Sequence, residues 1–224
     1  MPYVRDRISR FSDRLLVDEV QDFSSHDFDF LLELARSNVE VLMVGDFHQH
    51  TYDTSRDGSK GSALHSSFDS YKERFVDAGV AVDTVSLSKS RRCSSAVCEF
   101  ITSRLGISIE SASARVASVR VVDNQSEADE VWSRPDVVKL FYQEHSKYDC
   151  FAQNWGGSKG EDHYDEVCVV LNKTTWDHYQ NGSLASMSPL TLNKLYVALS
   201  RSRGDVSLVR HTYFDSRKGQ YRSR

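Results

Sequence analysis

The sequence has few of the residues that interrupt secondary structure or form disulfides: it has three prolines, eleven glycines and four cysteines among 224 residues. So little proline and glycine excludes collagen-like and linker-rich proteins. The cysteines show no CxxC spacing, which predicts reduced, buried thiols instead of a disulfide framework or a zinc site. No apolar run approaches the roughly 20 residues that span a bilayer. The polar N-terminus does not resemble a signal peptide, so the sequence predicts a cytoplasmic protein without a membrane partner.

Neither sign of charge dominates the chain. Lys and Arg number 28 and Asp and Glu number 32, for a net charge of -4. This balance excludes a wholly basic coat for nucleic acid, although a local basic groove is compatible with it. The segment after residue 209 is such a local basic region, since it holds five Lys and Arg residues against a single Asp. The length is enough for one large domain or two small ones.

Short apolar runs alternate with segments of helical spacing, which predicts an α/β fold with parallel sheets. Strands are expected at Arg14–Val17, Val39–Val44, Val80–Leu87, Val116–Val122, Glu166–Leu171 and Val206–Val209. Helices are expected at Asp27–Arg36, with a capping box formed by Ser24 and Asp27, between Ser94 and Gly106, and after Ser188-Pro189. The stretch 126–148 has no clean period. Topology favours two units, residues 1–87 and 88–224.

The strand Arg14–Val17 leads directly into Asp18, Glu19, Gln21 and Asp22. Two carboxylates at this point lie at the carboxyl edge of a sheet, where open α/β folds bind their ligands. Asp18 can hold Mg²⁺, usually through water, and Glu19 can orient or deprotonate an attacking water. The alternative interpretation is a strand that ends in a solvated acidic turn.

Four more motifs follow Asp18–Asp22 in the chain. They are the stretches Val44–Tyr52, Leu87–Cys93, Ser158–Val167 and Tyr196–Arg203. Together they resemble motifs II to VI of superfamily 1 helicases of the UvrD/Rep/PcrA kind, in that family's order. Asp18–Asp22 is similar to the Walker B motif. Motif IV departs from the family, since Ser-Arg-Arg stands where Asn-Tyr-Arg is typical, and motif V departs more strongly.

The resemblance implies a RecA-like P-loop NTPase fold. A partial first unit would carry motifs II and III, and a second unit would carry motifs IV, V and VI. ATP and Mg²⁺ would bind between two such units, and single-stranded DNA would cross both. The residues to which the resemblance gives catalytic or nucleotide-binding roles are Asp18, Glu19, Gln49, Arg92, Gly160 and Arg201. We expect Arg92 and Arg201 on opposite flanks of the second unit, both directed at a γ-phosphate.

Four residues are candidates for contact with nucleic acid. Tyr52 in motif III is expected to stack on a base, which holds single strands without sequence preference. Trp155 is either a second stacking surface or an ordinary core tryptophan. Ser158 and Lys159, in the motif V stretch, complete the candidate set.

The sequence lacks the Walker A loop of the family, Gly-x-x-x-x-Gly-Lys-Thr/Ser, whose amides and lysine hold the β- and γ-phosphates. The segment Gly58–Ser62 is only superficially similar, because it follows motif III. The large helical insertion between motifs IV and V is also missing. These departures predict a helicase fragment or subunit that needs a partner to supply the Walker A half. The alternatives are a catalytically inactive helicase-like adaptor for DNA or protein, and a trimmed piece of a longer enzyme.

Overall fold

The computed structural model describes residues 2–36, 38–52 and 64–219. The chain divides into two compact units, Met1–Val85 and Ser86–Arg224. The division falls two residues before the boundary that the sequence predicts. The look-alike loop Gly58–Ser62 lies outside the described residues.

Two short parallel strands form the sheet of the first unit. Its elements are α1 (Pro2–Phe11), β1 (Arg14–Val17), α2 (Ser25–Ala35), β2 (Glu40–Met43) and α3 (Phe68–Asp77). Helix α2 begins two residues before the predicted start, and the Ser24 side chain makes no capping hydrogen bond, so the expected capping box does not form.

The two faces of this small sheet differ. Val17 and Met43 pack against the core that α2 and α3 build around Phe28. On the opposite face Leu16 lies beside Leu42 in register, and these side chains are 66% and 54% exposed. The described residues therefore leave one apolar face of the sheet uncovered.

The second unit contains a larger parallel sheet. Its elements are β3 (Lys89–Ser90), α4 (Ser95–Leu105), β4 (Glu110–Ser111), β5 (Val119–Val122), α5 (Gln125–Ser133), β6 (Val138–Phe141), β7 (Ala152–Asn154), β8 (Val167–Leu171), α6 (Lys173–Gln180), α7 (Pro189–Leu199) and β9 (Val206–Arg210). Five strands lie in the order β5-β9-β8-β6-β7, and every pair is parallel. Strands β3 and β4 form a separate two-stranded pair.

Apolar residues cover both faces of this five-stranded sheet. In β8, Val167 and Val169 belong to the core that includes α4 and α7, whereas Cys168 and Val170 belong to the core of α5 and Phe214. Burial on both faces explains why β8 is apolar at every position and does not alternate. The α/β fold with parallel sheets that the sequence predicts is confirmed.

Local signals place two helices of this unit correctly. Helix α4 begins after Ser94, whose hydroxyl accepts from the Val97 amide, and it ends at Gly106, whose φ of 72° lies in the left-handed region. Helix α7 begins at Pro189, a position where the missing amide hydrogen costs no helical hydrogen bond.

The prediction of a strand at Val80–Leu87 is wrong, because this stretch has no regular secondary structure. Val85 and Leu87 are 76% and 82% exposed. β-Branched residues favour a strand only where neighbouring strands and a buried face are available. The predicted strand at Val116–Val122 shortens to Val119–Val122 for the same reason, since Val116 is fully exposed.

In the ranges that the structure describes, no helix is both long and apolar enough to cross a bilayer.

Candidate functional site

The two carboxylates of motif II follow the carboxyl end of β1, as the sequence predicts. Glu19 has φ 52° and ψ 45°, a left-handed conformation that is uncommon outside glycine. Its amide donates to Asp18 Oδ1 at 2.8 Å. Left-handed backbone at a non-glycine residue costs of the order of 1–3 kcal/mol and is concentrated at functional sites. The geometry therefore supports Glu19 as a functional candidate, although Ser25 and Glu144 also have a positive φ.

Gln21 connects motif II to motif III. Its fully buried amide donates from Nε2 to Glu19 Oε2 at 2.5 Å and accepts at Oε1 from the Asp46 amide at 3.1 Å. Asp46 Oδ2 in turn accepts from Gln49 Nε2 at 3.1 Å. A Cβ on Gly45 would lie 2.3 Å from Gln21 Oε1, so glycine is required for this approach. The structure thus joins Glu19 to Gln49, through a residue to which the sequence assigned no role.

Two histidines hydrogen-bond to the backbone of Gln21 and extend this network. His50 Nδ1 and His65 Nε2 donate to the backbone carbonyl of Gln21 at 3.0 and 2.9 Å. Their rings stack with centroids 3.6 Å apart and an interplanar angle of 2°. Burial, together with the neighbouring His50, lowers the pKa of His65 to about 4. The His65 ring is therefore neutral near pH 7.

The stability of the first unit is expected to fall on acidification. A histidine whose pKa is depressed in the folded state binds its proton mainly after unfolding, so the stability it contributes is present above pH 6.5 and is lost between pH 6.5 and about 4. With allowance for partial solvent screening, the loss is about 1–2 kcal/mol. Urea unfolding across this pH range measures it, and His65→Gln should flatten the dependence. An equal dependence in that variant would contradict the prediction.

Asp18 fits the expected Mg²⁺ role. Its side chain is exposed at the carboxyl end of β1. Mg²⁺ usually keeps several waters and binds through one or two carboxylates together with substrate phosphates, so a single exposed aspartate is suitable. Among the described residues no group of three His, Cys, Asp or Glu side chains gathers as a complete metal cage.

In the second unit, Arg92 and Arg201 converge on one serine. Arg92 Nη1 donates to the Ser200 carbonyl oxygen at 3.2 Å, across 108 residues of sequence. Arg201 Nη2 donates to the Ser200 hydroxyl at 3.3 Å. The expectation that these arginines lie on opposite flanks of the unit is wrong, because the end of α7 returns beside the segment that precedes α4.

Arg201 also reaches the motif V stretch. Its Nη1 donates to the Glu161 carbonyl oxygen at 3.3 Å, directly after Gly160, and its Nε donates to the Val197 carbonyl oxygen at 3.2 Å. Gly160 has φ 84°, a turn conformation that favours glycine. The stretches Leu87–Cys93, Ser158–Val167 and Tyr196–Arg203 therefore meet around Ser200. Arg201 is only 2% exposed, so it reaches a phosphate only if it leaves these carbonyls.

The candidate contacts for nucleic acid have very different environments. Tyr52 is 61% exposed, whereas Trp155 is fully buried and donates its Nε1 hydrogen to the Leu140 carbonyl oxygen at 2.9 Å. Ser158 is also fully buried and donates to the Trp155 carbonyl oxygen at 2.7 Å. The interpretation of Trp155 as a stacking surface and the expected contact of the Ser158 side chain with nucleic acid are therefore wrong, since both residues are part of the core. Lys159 is half-buried.

The cations of the basic C-terminal segment are less available to bind nucleic acid than its composition suggests. Arg217 pairs with Asp129 at 3.1 Å and Lys218 with Asp215 at 2.6 Å. Arg210 lies 5.9 Å from the centre of the Trp176 ring. Neighbouring carboxylates and an aromatic ring thus engage three of the five cations, and the other two lie beyond the described residues.

The parallel sheet with helices on both faces, and motifs at strand and helix ends, define an α/β protein with a RecA-like fold. Solved helicases share it: a crystal structure of arterivirus nonstructural protein 10 matches with TM-score 0.50 and 17% identity over 87% of this chain and 38% of that one. A complex of arterivirus nonstructural protein 10 with DNA gives TM-score 0.51 and 18% identity over 88% of this chain and 39% of that one. The structure of the PRRSV helicase matches with TM-score 0.50 and 17% identity, over 87% of this chain and 34% of that one.

The chain thus spans less than half the length of these helicases. At such identities the likeness concerns the fold. No protein-family model matches the chain, and no curated protein matches it either.

Proposed function

We propose that the chain is a fragment or subunit of a UvrD-like superfamily 1 DNA helicase, which couples ATP hydrolysis to movement along single-stranded DNA when a Walker A half is supplied. The observation that carries this proposal is the meeting of motifs IV, V and VI around Ser200. Arginine is the side chain that recognises phosphate most often, so two arginines beside one serine provide the donors that a polyphosphate site needs.

The residues would divide the work between the two units. In the first unit Glu19 positions and accepts a proton from an attacking water, while Gln49 contacts the water or the γ-phosphate and Asp18 holds Mg²⁺. In the second unit Arg92 and Arg201 neutralise charge on the γ-phosphate, with Gly160 beside the nucleotide. Bound Mg²⁺ and ATP supply the electrophilic phosphorus and its charge compensation.

A partner is expected for the first unit. The face that carries Leu16 and Leu42 is apolar and exposed in the described residues, and such faces are normally covered. We propose that the Walker A half, from a partner protein or from another segment, covers this face and supplies the loop that grips the phosphates.

A second candidate function is a helicase-like adaptor without ATP turnover, which docks on DNA or on a protein. The missing Walker A sequence favours it, because without the amide nest and lysine the phosphates of ATP are poorly neutralised. Only the first candidate predicts ATP turnover when a partner is present.

Single-stranded DNA binding is expected to be weak, insensitive to sequence and sensitive to salt. Tyr52→Ala should weaken it by about 1–3 kcal/mol, because the exposed ring stacks on a base. The dependence on salt should stay the same, since no charge is removed. Fluorescence anisotropy with a short labelled oligonucleotide at several salt concentrations measures both quantities.

Tyr3→Ala is the matched control, since Tyr3 on α1 is 71% exposed and lies outside the helicase-like motifs. It should bind like the unaltered chain. An equal loss in both variants would contradict a specific role for Tyr52, and no binding at low salt would favour a protein-docking adaptor.

A further inference from the structure

Two cysteines lie against the arginine cluster of the second unit, and the proposed function uses neither of them. Cys93 immediately follows Arg92, and its thiol donates to the Ser200 carbonyl oxygen at 3.5 Å. Arg92 donates to the same oxygen. Cys93 and Cys98 are almost fully buried, with 0% and 3% of their surfaces exposed.

The start of α4 holds these two cysteines together. Ser94 is the N-cap, so Cys93 is the residue before the cap and Cys98 is the fourth residue of the helix. Side chains at these two positions meet across the first turn, where they usually form a hydrophobic staple. Here they are two thiols, and they are hydrogen-bonded to each other. We propose that Cys93 and Cys98 are a redox pair, which a peroxide converts to a disulfide beside Arg92 and Arg201.

The surroundings favour Cys93 as the attacking sulfur. A hydrogen bond from the Cys98 thiol, one from Ser90 and the charges of Arg92 and Arg201 together hold the pKa of Cys93 below its usual range despite burial. The same pairing, with burial, raises the pKa of Cys98. Cys93 therefore loses its proton more easily than Cys98, the arrangement that favours attack by the first sulfur and resolution by the second.

An open groove gives a small oxidant a route to Cys98, one member of the pair. Cys98 lines this groove together with side chains of α4 and of the β4 region, among them Glu99, Thr102 and Glu110. Hydrogen peroxide is small and uncharged, so the two carboxylates of the groove do not exclude it.

The chemistry balances with hydrogen peroxide as the named oxidant. The Cys93 thiolate attacks one peroxide oxygen, the O–O bond breaks, and the departing hydroxide takes a proton to become water. Cys93 is then a sulfenic acid. The Cys98 sulfur attacks it, the S–O bond breaks, and the hydroxide leaves as water with the Cys98 proton. Two thiols and one peroxide thus give one disulfide and two waters, with two electrons passing to oxygen.

Oxidation changes the environment of the arginines. The disulfide has no hydrogen to donate, so the contact of Cys93 with the Ser200 carbonyl is lost, while Arg92 still donates to that oxygen. The redox state of the pair thereby changes the hydrogen bonding beside the arginines, a property that goes beyond the proposed ATP chemistry and does not depend on it.

Peroxide treatment of the purified chain, followed by alkylation and peptide mass spectrometry, tests the proposal. A peptide cross-linked through Cys93 and Cys98 is expected. Cys150 and Cys168 serve as internal controls, because burial raises the pKa of the first to about 11 and of the second to about 12. They should react at least about tenfold more slowly at neutral pH.

Two variants separate a redox pair from two ordinary core cysteines. Cys98→Ser should stop at a sulfenic acid on Cys93 that a dimedone probe traps. Arg92→Gln should shift the pH profile of Cys93 oxidation to higher pH, because it removes a cation beside the thiolate, whereas Arg104→Gln, farther along α4, should leave it in place. Absence of the cross-link, equal reactivity of all four cysteines or an unmoved pH profile would overturn the proposal.

Discussion

The purified chain is expected to show no ATP hydrolysis above background. Its sequence contains no Gly-x-x-x-x-Gly-Lys loop, so the β- and γ-phosphates lack the amides and lysine that neutralise them. The residues that we propose for the later steps, Glu19, Gln49 and Arg92, are nevertheless present in the chain. A coupled assay with and without single-stranded DNA measures turnover.

If a segment that carries a Walker A loop restores turnover, Glu19→Gln should lower the rate by about 10²–10⁴-fold, the usual effect of losing a general base. Glu40→Gln is the control, since Glu40 on β2 is exposed and paired with Arg14 at 2.8 Å. DNA-stimulated turnover by the chain alone that Glu19→Gln abolishes would contradict the first expectation. No turnover with any such segment would favour the adaptor.

Trp155→Ala is expected to destabilise the second unit by about 3–5 kcal/mol, the cost of emptying a large buried site. Trp155 is fully buried, its Nε1 hydrogen bonds to the Leu140 carbonyl oxygen, and its ring meets Tyr142 edge-on with centroids 5.3 Å apart. Trp155→Phe keeps most of the volume but loses the hydrogen bond, so it should cost less. Urea unfolding followed by circular dichroism measures both changes.

Tyr52→Ala is the opposite case and serves as the control. Its side chain is exposed, so its stability should stay within about 0.5 kcal/mol of the unaltered chain. The two aromatic residues are thus expected to have separate effects, Trp155 on stability and Tyr52 on the binding of DNA. A Trp155→Ala variant of normal stability that binds DNA less tightly would restore the stacking role of Trp155.

The predictable part of the fold was the part with local signals. Ser94, Gly106 and Pro189 mark helix ends through their own backbone chemistry, and the run Val167–Leu171 is apolar enough to require burial on both faces. The stretch at Val80–Leu87 shows the limit, because its composition suits a strand but no strand among the described residues pairs with it.

The site was predictable by residue type but not by arrangement. The carboxylates after β1 follow from strand direction alone, and their expected position is observed. The shared contact of Arg92 and Arg201 with Ser200 depends on a return of the chain after 108 residues, which no local pattern contains. Gln21 and His65 were missed because their roles arise from a hydrogen bond and a ring stack across the first unit.

The place of β9 in the sheet has a consequence for how the second unit forms during synthesis. This strand lies between β5 and β8 and pairs with both, and Val119 lies opposite Val206, 87 positions later in the chain. Before β9 leaves the ribosome, β5 has no partner in the sheet, and β8 lacks its neighbour on one edge. Long-range parallel pairing of this kind is slow, and the waiting intermediate exposes strand edges. The nascent chain therefore depends on its final strand for protection against aggregation.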